Sequence, residues 1–101
     1  MLANDNHIMS FTKDSAVERA KQDLAQRLGI AESEITDSVT DVEFPDMSLG
    51  APVDGEMAAQ MITSGWRIDL SANGEDYEYR AQKYGELRLR GFNGTNYIIE
   101  S

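Results

Sequence analysis

Val17, Ala20, Leu24 and Leu28 recur at spacings of three and four, while Glu18, Lys21, Gln22, Gln26 and Arg27 fall off that stripe. The pattern predicts an amphipathic helix over about residues 16–28. Ser15 and Glu18 read as a capping box at its start, Gly29 as its left-handed C-terminal cap, and Ile30 as a residue folding back on the last turn. Residues 35–44 are rich in β-branched side chains and read as a strand. The apolar parity there switches from Ile35 and Val39 to Val42 and Phe44, which a bulge near Thr40 or Asp41 would reconcile. Residues 57–63 admit helix or strand and are assigned to strand. Trp66, Ile68 and Leu70 alternate with Arg67 and Asp69, Tyr77, Tyr79 and Ala81 with Glu78 and Arg80, and Leu87 and Leu89 with Arg88 and Arg90. Such alternation belongs to half-buried strands. Asn73-Gly74 has the residues of a type I′ hairpin turn, a further turn falls at Tyr84-Gly85, and Asn93-Gly94 closes a short hairpin into residues 97–99. The expected fold is α+β, one N-terminal helix packed across an antiparallel sheet of about four strands. Residues 1–12 are expected to form a loose tail, and residues 13–101 a single domain.

One stretch interrupts this regular pattern. Residues 44–55, Phe-Pro-Asp-Met-Ser-Leu-Gly-Ala-Pro-Val-Asp-Gly, hold both prolines of the chain and no base. A long loop stiffened in this way is where binding function concentrates, because a scaffold holds it at the surface. The candidate binding residues are Pro45, Asp46, Met47, Ser48, Leu49 and Pro52.

The chain has 101 residues, 41% hydrophobic and 27% charged, which places it among folded soluble domains with one core. No apolar run approaches the ~18 residues of a membrane span. The N-terminus lacks the basic start and apolar run of a signal peptide. The absence of cysteine excludes disulfides and thiolate chemistry and fits a reducing compartment. Net charge is −9, and eight acids lie between Glu32 and Glu56 without a Lys or Arg. That segment repels phosphate backbones and anionic membranes, so no nucleic-acid partner is expected. It reads either as a solvated acidic face or as a surface that steers toward a basic partner.

Catalytic constellations are hard to assemble. His7 is the only histidine, which leaves no Ser-His-Asp triad and no multi-histidine metal site. Ser48 lacks the preceding Gly of a nucleophile elbow, and no glycine-rich phosphate loop opens a helix. Asp37, Asp41 and Glu43 read as the solvent face of a strand, and Asp46, Asp54 and Glu56 lack the alternating spacing of a calcium loop. The sequon Asn93-Gly94-Thr95 reads as a turn. Trp66, Tyr77 and Tyr79 read as core residues, not a platform for bases. No enzymatic activity, cofactor or metal is expected.

Residues 44–52, Ala59-Gln60-Met61-Ile62-Thr63, Gly65-Trp66-Arg67-Ile68 and Tyr77-Glu78-Tyr79-Arg80 together resemble a family of small, largely uncharacterised bacterial domains, many of them exported. Its pattern reads Trp-Pro-Asp-x-Ser-Leu-Gly-Cys-Pro, then Ala-Gln-x-Ile-Thr-Pro-Gly-Tyr-Arg-Ile, then Tyr-x-Tyr. The resemblance covers roughly residues 16–89. The chain departs at Phe44 for Trp, at Ala51 where relatives often carry Cys, and at Ser64 for Pro. Without that Cys the loop cannot be stapled to the C-terminal strand, a departure that fits a cytosolic or divergent member. The layout is also similar to PepSY-type domains, for which peptidase inhibition or peptide binding has been proposed.

Two expectations follow. The first is a protein- or peptide-binding module, in the sharper form a peptidase inhibitor, whose loop presents Met47 or Leu49; the same residues could instead fold inward and close the end of the core. The second is a structural protein that assembles through a sheet edge.

Overall fold

The computed structural model describes residues 10–101. Helix α1 (Lys13–Leu28) is followed by a short 3-10 turn (Glu32–Glu34) and five strands: β1 (Thr36–Phe44), β2 (Thr63–Ala72), β3 (Glu75–Gln82), β4 (Glu86–Phe92) and β5 (Thr95–Glu100). They form one antiparallel meander in sequence order, so the sheet has five strands where about four were expected. The fifth arises because the 97–99 hairpin is a full strand. Asn73-Gly74 and Asn93-Gly94 all have positive φ, the geometry a type I′ turn demands.

Helix α1 starts earlier than expected. Its N-cap is Thr12, whose hydroxyl accepts from the Ser15 amide at 3.1 Å while the Ser15 hydroxyl accepts from the Thr12 amide at 2.9 Å. Ser15 is thus the reciprocal partner of a cap, not the cap itself, and the Ser15/Glu18 box is displaced by one turn. The C-terminus is as expected: Gly29 sits at φ 68°, and the amides of Gly29 and Ile30 both donate to the Ala25 carbonyl. Residues 1–9, most of the expected tail and including His7, lie outside the described residues. Phe11, assigned to that tail, belongs to the core at 5% exposure, and its amide donates to Lys83 O at 2.8 Å.

The main core lies between α1 and one face of the sheet. Ala16, Ala20 and Leu24 of the helix meet Ile68, Leu70, Tyr79, Ala81, Leu87 and Leu89, all at 0% exposure. Alanines on the helix let its axis approach the sheet closely, and each buried Leu or Ile contributes about 1.5–3 kcal/mol. Tyr79 lies in this layer, and its hydroxyl donates to Asp23 at 2.8 Å, a carboxylate that also accepts from Arg27 at 2.7 Å. Burial first, and then this bond to a carboxylate, push the Tyr79 hydroxyl far above its ordinary range, so it stays a donor.

β1 and β2 pair without interruption from Thr36↔Ser71 to Phe44↔Thr63, so the expected bulge does not exist. The parity change has another cause. Ile35 and Val39 face the helix layer, whereas Val42 and Phe44 occupy alternate positions on the opposite face, and Phe44 is 1% exposed. The helix covers one face of the sheet, and a different element covers the part of the other face around Phe44, Arg80 and Arg88. Nor do residues 57–62 form the expected strand: they have no regular structure, and β2 begins at Thr63. Residues 45–62 instead form an irregular strap that supplies the second layer.

Candidate functional site

The strap is held to the helix-free face by arginines. Pairing places Arg67, Arg80 and Arg88 in one cross-strand row, β2 to β3 to β4. Neighbouring strands lie about 4.8 Å apart, so these like charges require acids between them. Arg67 pairs with Asp69 at 3.1 Å, Arg80 with Glu78 at 2.6 Å and Arg88 with Glu86 at 2.6 Å. The inner two reach up to the strap. Arg80 donates to Leu49 O at 2.8 Å, and Arg88 donates to Ala51 O at 3.0 Å and to both carboxylate oxygens of Glu56. Farther along, Asn96 of β5 donates to Pro52 O at 2.7 Å and accepts from the Gly91 amide at 2.8 Å.

Within the strap, Asp46 organises a tight turn. Its carboxylate accepts from the Ser48 amide at 3.0 Å, the Ser48 hydroxyl at 2.6 Å and the Gly50 amide at 3.2 Å. The Ser48 hydroxyl, then the Gly50 amide, hold the Asp46 carboxyl below its usual range. Hydrogen bonding to Arg88 does the same for Glu56. Leu49 and Gly50 follow at φ 60° and 68°. A leucine in the left-handed region costs about 1–2 kcal/mol, less than the 2–5 kcal/mol its removal from a core forfeits, so burial wins. A Cβ at Gly50 would press on the end of the Arg80 guanidinium, which would have to shift from the Leu49 carbonyl it binds.

The candidate residues divide cleanly. Ser48 and Leu49 are buried at 1% and 0%, Asp46 is half-buried, and Pro45, Met47 and Pro52 are exposed. Of the two side chains expected to be presented, Met47 faces outward and Leu49 inward. The Met47 amide donates to Ala59 O at 3.0 Å, joining the two limbs of the strap. The second limb carries Met57, Met61 and Ile62 at 96%, 60% and 71% exposure. Sequence reasoning left these three out because it read residues 57–63 as a strand. It also missed Arg80, Arg88, Glu56 and Asn96, the anchors. The alternation of Leu87 and Leu89 with Arg88 and Arg90 already aimed those arginines away from the helix, and Arg88 meets the strap there while Arg90 pairs with Glu78.

Among the described residues, no group of three or more His, Cys, Asp or Glu side chains could hold a metal ion, and no helix is long and apolar enough to cross a membrane. A family model, domain of unknown function (DUF8738), matches residues 17–89, a span that runs from α1 to β4 and contains the entire strap. No curated protein and no solved structure matches the chain.

Proposed function

The chain belongs to the DUF8738 family, and we propose that it is a non-enzymatic module that binds a protein or peptide through its strap. One observation carries this reading. Of the six large apolar side chains most exposed among the described residues, Met47, Met57, Met61 and Ile62 belong to the strap, whose first limb is held by Arg80, Arg88 and Asn96 and whose second limb is tied to the first through the Met47 amide and Ala59 O. A fixed backbone lowers the entropy lost on association, and thioether side chains adapt to varied apolar partners. Several exposed large apolar side chains on one segment are what interaction sites present.

In its finer form the module is a PepSY-like peptidase inhibitor that offers the exposed limb around Met57 and Met61 to a peptidase cleft. Titration against serine, cysteine and metallo-peptidases tests this form. Dose-dependent inhibition of one class, lost in Met57→Asp/Met61→Asp, supports it. Absence of inhibition in every class, or inhibition that survives the substitutions, overturns it.

A second reading, assembly through a sheet edge, draws on β5, whose outward Ile98 is 42% exposed on a strand with a single acid and no base. Sedimentation that shows a concentration-dependent oligomer, abolished by Ile98→Lys, would favour assembly.

A further inference from the structure

The other edge of the sheet differs from β5. β1 pairs with β2 alone, and among the described residues nothing pairs with its outer side. In a strand of nine residues, alternate N–H and C=O groups therefore point outward without a ladder partner. Beside that edge, between α1 and β1, lies an open groove of about 680 Å³. Val17 and Val39, half-buried against the main core, contribute apolar surface to it. The remaining charged lining comprises Asp14, Glu18, Glu32 and Asp37 against Lys13 and Lys21, four acids to two bases. Lys21 is committed to Asp37 at 2.6 Å and Lys13 to Asp41 at 3.5 Å. Asp14, Glu18 and Glu32 make no ion pair among the described residues.

We propose that this edge and groove are a second binding site, distinct from the strap, that takes an extended basic peptide as an added strand beside β1. Backbone pairing supplies the alignment, as in other strand-addition sites. Lys or Arg at alternate peptide positions points into the groove, lays its methylene stem over Val17 and Val39, and brings its charge to Glu18 and Glu32. The same acids decide against a second copy of this chain as occupant. β1 carries Asp37, Asp41 and Glu43 and no base, so two such edges would set acid against acid.

The test uses blocked peptides of about six residues that alternate Lys with Val, added to the intact chain and followed by amide exchange. The expected result is slowed exchange in β1, tenfold or more, weakened by salt. A Glu-Val peptide and a Lys-Val peptide N-methylated at alternate residues should not produce it. Glu18→Lys/Glu32→Lys, both at exposed positions, should weaken binding about tenfold, while Met57→Asp/Met61→Asp leaves it unchanged. Equal binding of the Glu-Val or N-methylated peptide, no change in β1 exchange, or loss in the strap variant alone would each overturn the proposal. A result confined to the strap would leave the reading of the strap standing.

Discussion

Glu56 in the strap meets Arg88 of β4 through both carboxylate oxygens, and Arg88 is 3% exposed although it carries a full charge. A buried guanidinium is tolerable only when its donors are taken up, and here Glu56, Glu86 and the Ala51 carbonyl do so. The second layer of this fold is therefore latched by charge as well as by the burial of Phe44, Leu49 and Ala51.

Removing both partners together should cost less than the sum of removing each alone. Glu56→Ala leaves a buried guanidinium short of acceptors and should lower stability by about 2–3 kcal/mol in urea unfolding. The double variant Glu56→Leu/Arg88→Met should lose less than the sum of the two single changes. Strict additivity would mean that the two side chains are not energetically coupled.

Acid should release the strap before the rest of the fold. Asp46 and Glu56 have folded-state pKa values below those of the unfolded chain, so their contribution is complete above the ordinary carboxylate range near 4 and is lost as pH falls through the folded values. Amide exchange followed from about pH 5 to pH 3 should show the Ser48 and Gly50 amides losing protection before those of the β2–β3 hairpin. Asp46→Asn should reduce that separation. Simultaneous loss of both regions in the parent chain would contradict it.

Leu49 combines complete burial with a left-handed backbone. Leu49→Ala forfeits about 2–5 kcal/mol of packing and keeps the strain. Leu49→Gly forfeits similar packing but relieves the strain, so it should be no more destabilising than Ala, against the usual order of those two residues. Thermal unfolding of both variants decides this; a Gly variant clearly less stable than Ala would show that φ at this position imposes no penalty.

What could be read from the sequence was local. The helix stripe, the Gly29 cap and the two Asn-Gly turns each depend on residues within a few positions of one another, and each appears in the structure. Most of the errors involve contacts distant in sequence. Val42 and Phe44 looked out of phase with Ile35 because a second covered face was not foreseen, and that face exists only because residues 45–62 cross it. The alternation set Arg88 opposite Leu87 and Leu89 but could not show what it meets, since its partners Ala51 and Glu56 lie 37 and 32 residues away. The Thr12 cap was missed because Ser15 and Glu18 offered an equally plausible box one turn later. In the candidate site, Met47 and Leu49 are read together from the sequence, as both presented or both folded inward; the two share a loop and an apolar character, yet Met47 is exposed and Leu49 buried, a distinction set by the two consecutive left-handed residues.

In the function proposed above, the strap binds its partner through the exposed Met47, Met57, Met61 and Ile62 side chains. The most direct measurement is selection of peptide ligands from a random display library on the intact chain, followed by titration of the selected peptides against Met47→Lys/Met57→Lys/Met61→Lys. Strap binding predicts ligands whose affinity falls by a hundredfold or more in the variant while its thermal midpoint stays close to that of the parent. Ligands that bind parent and variant equally would contradict it.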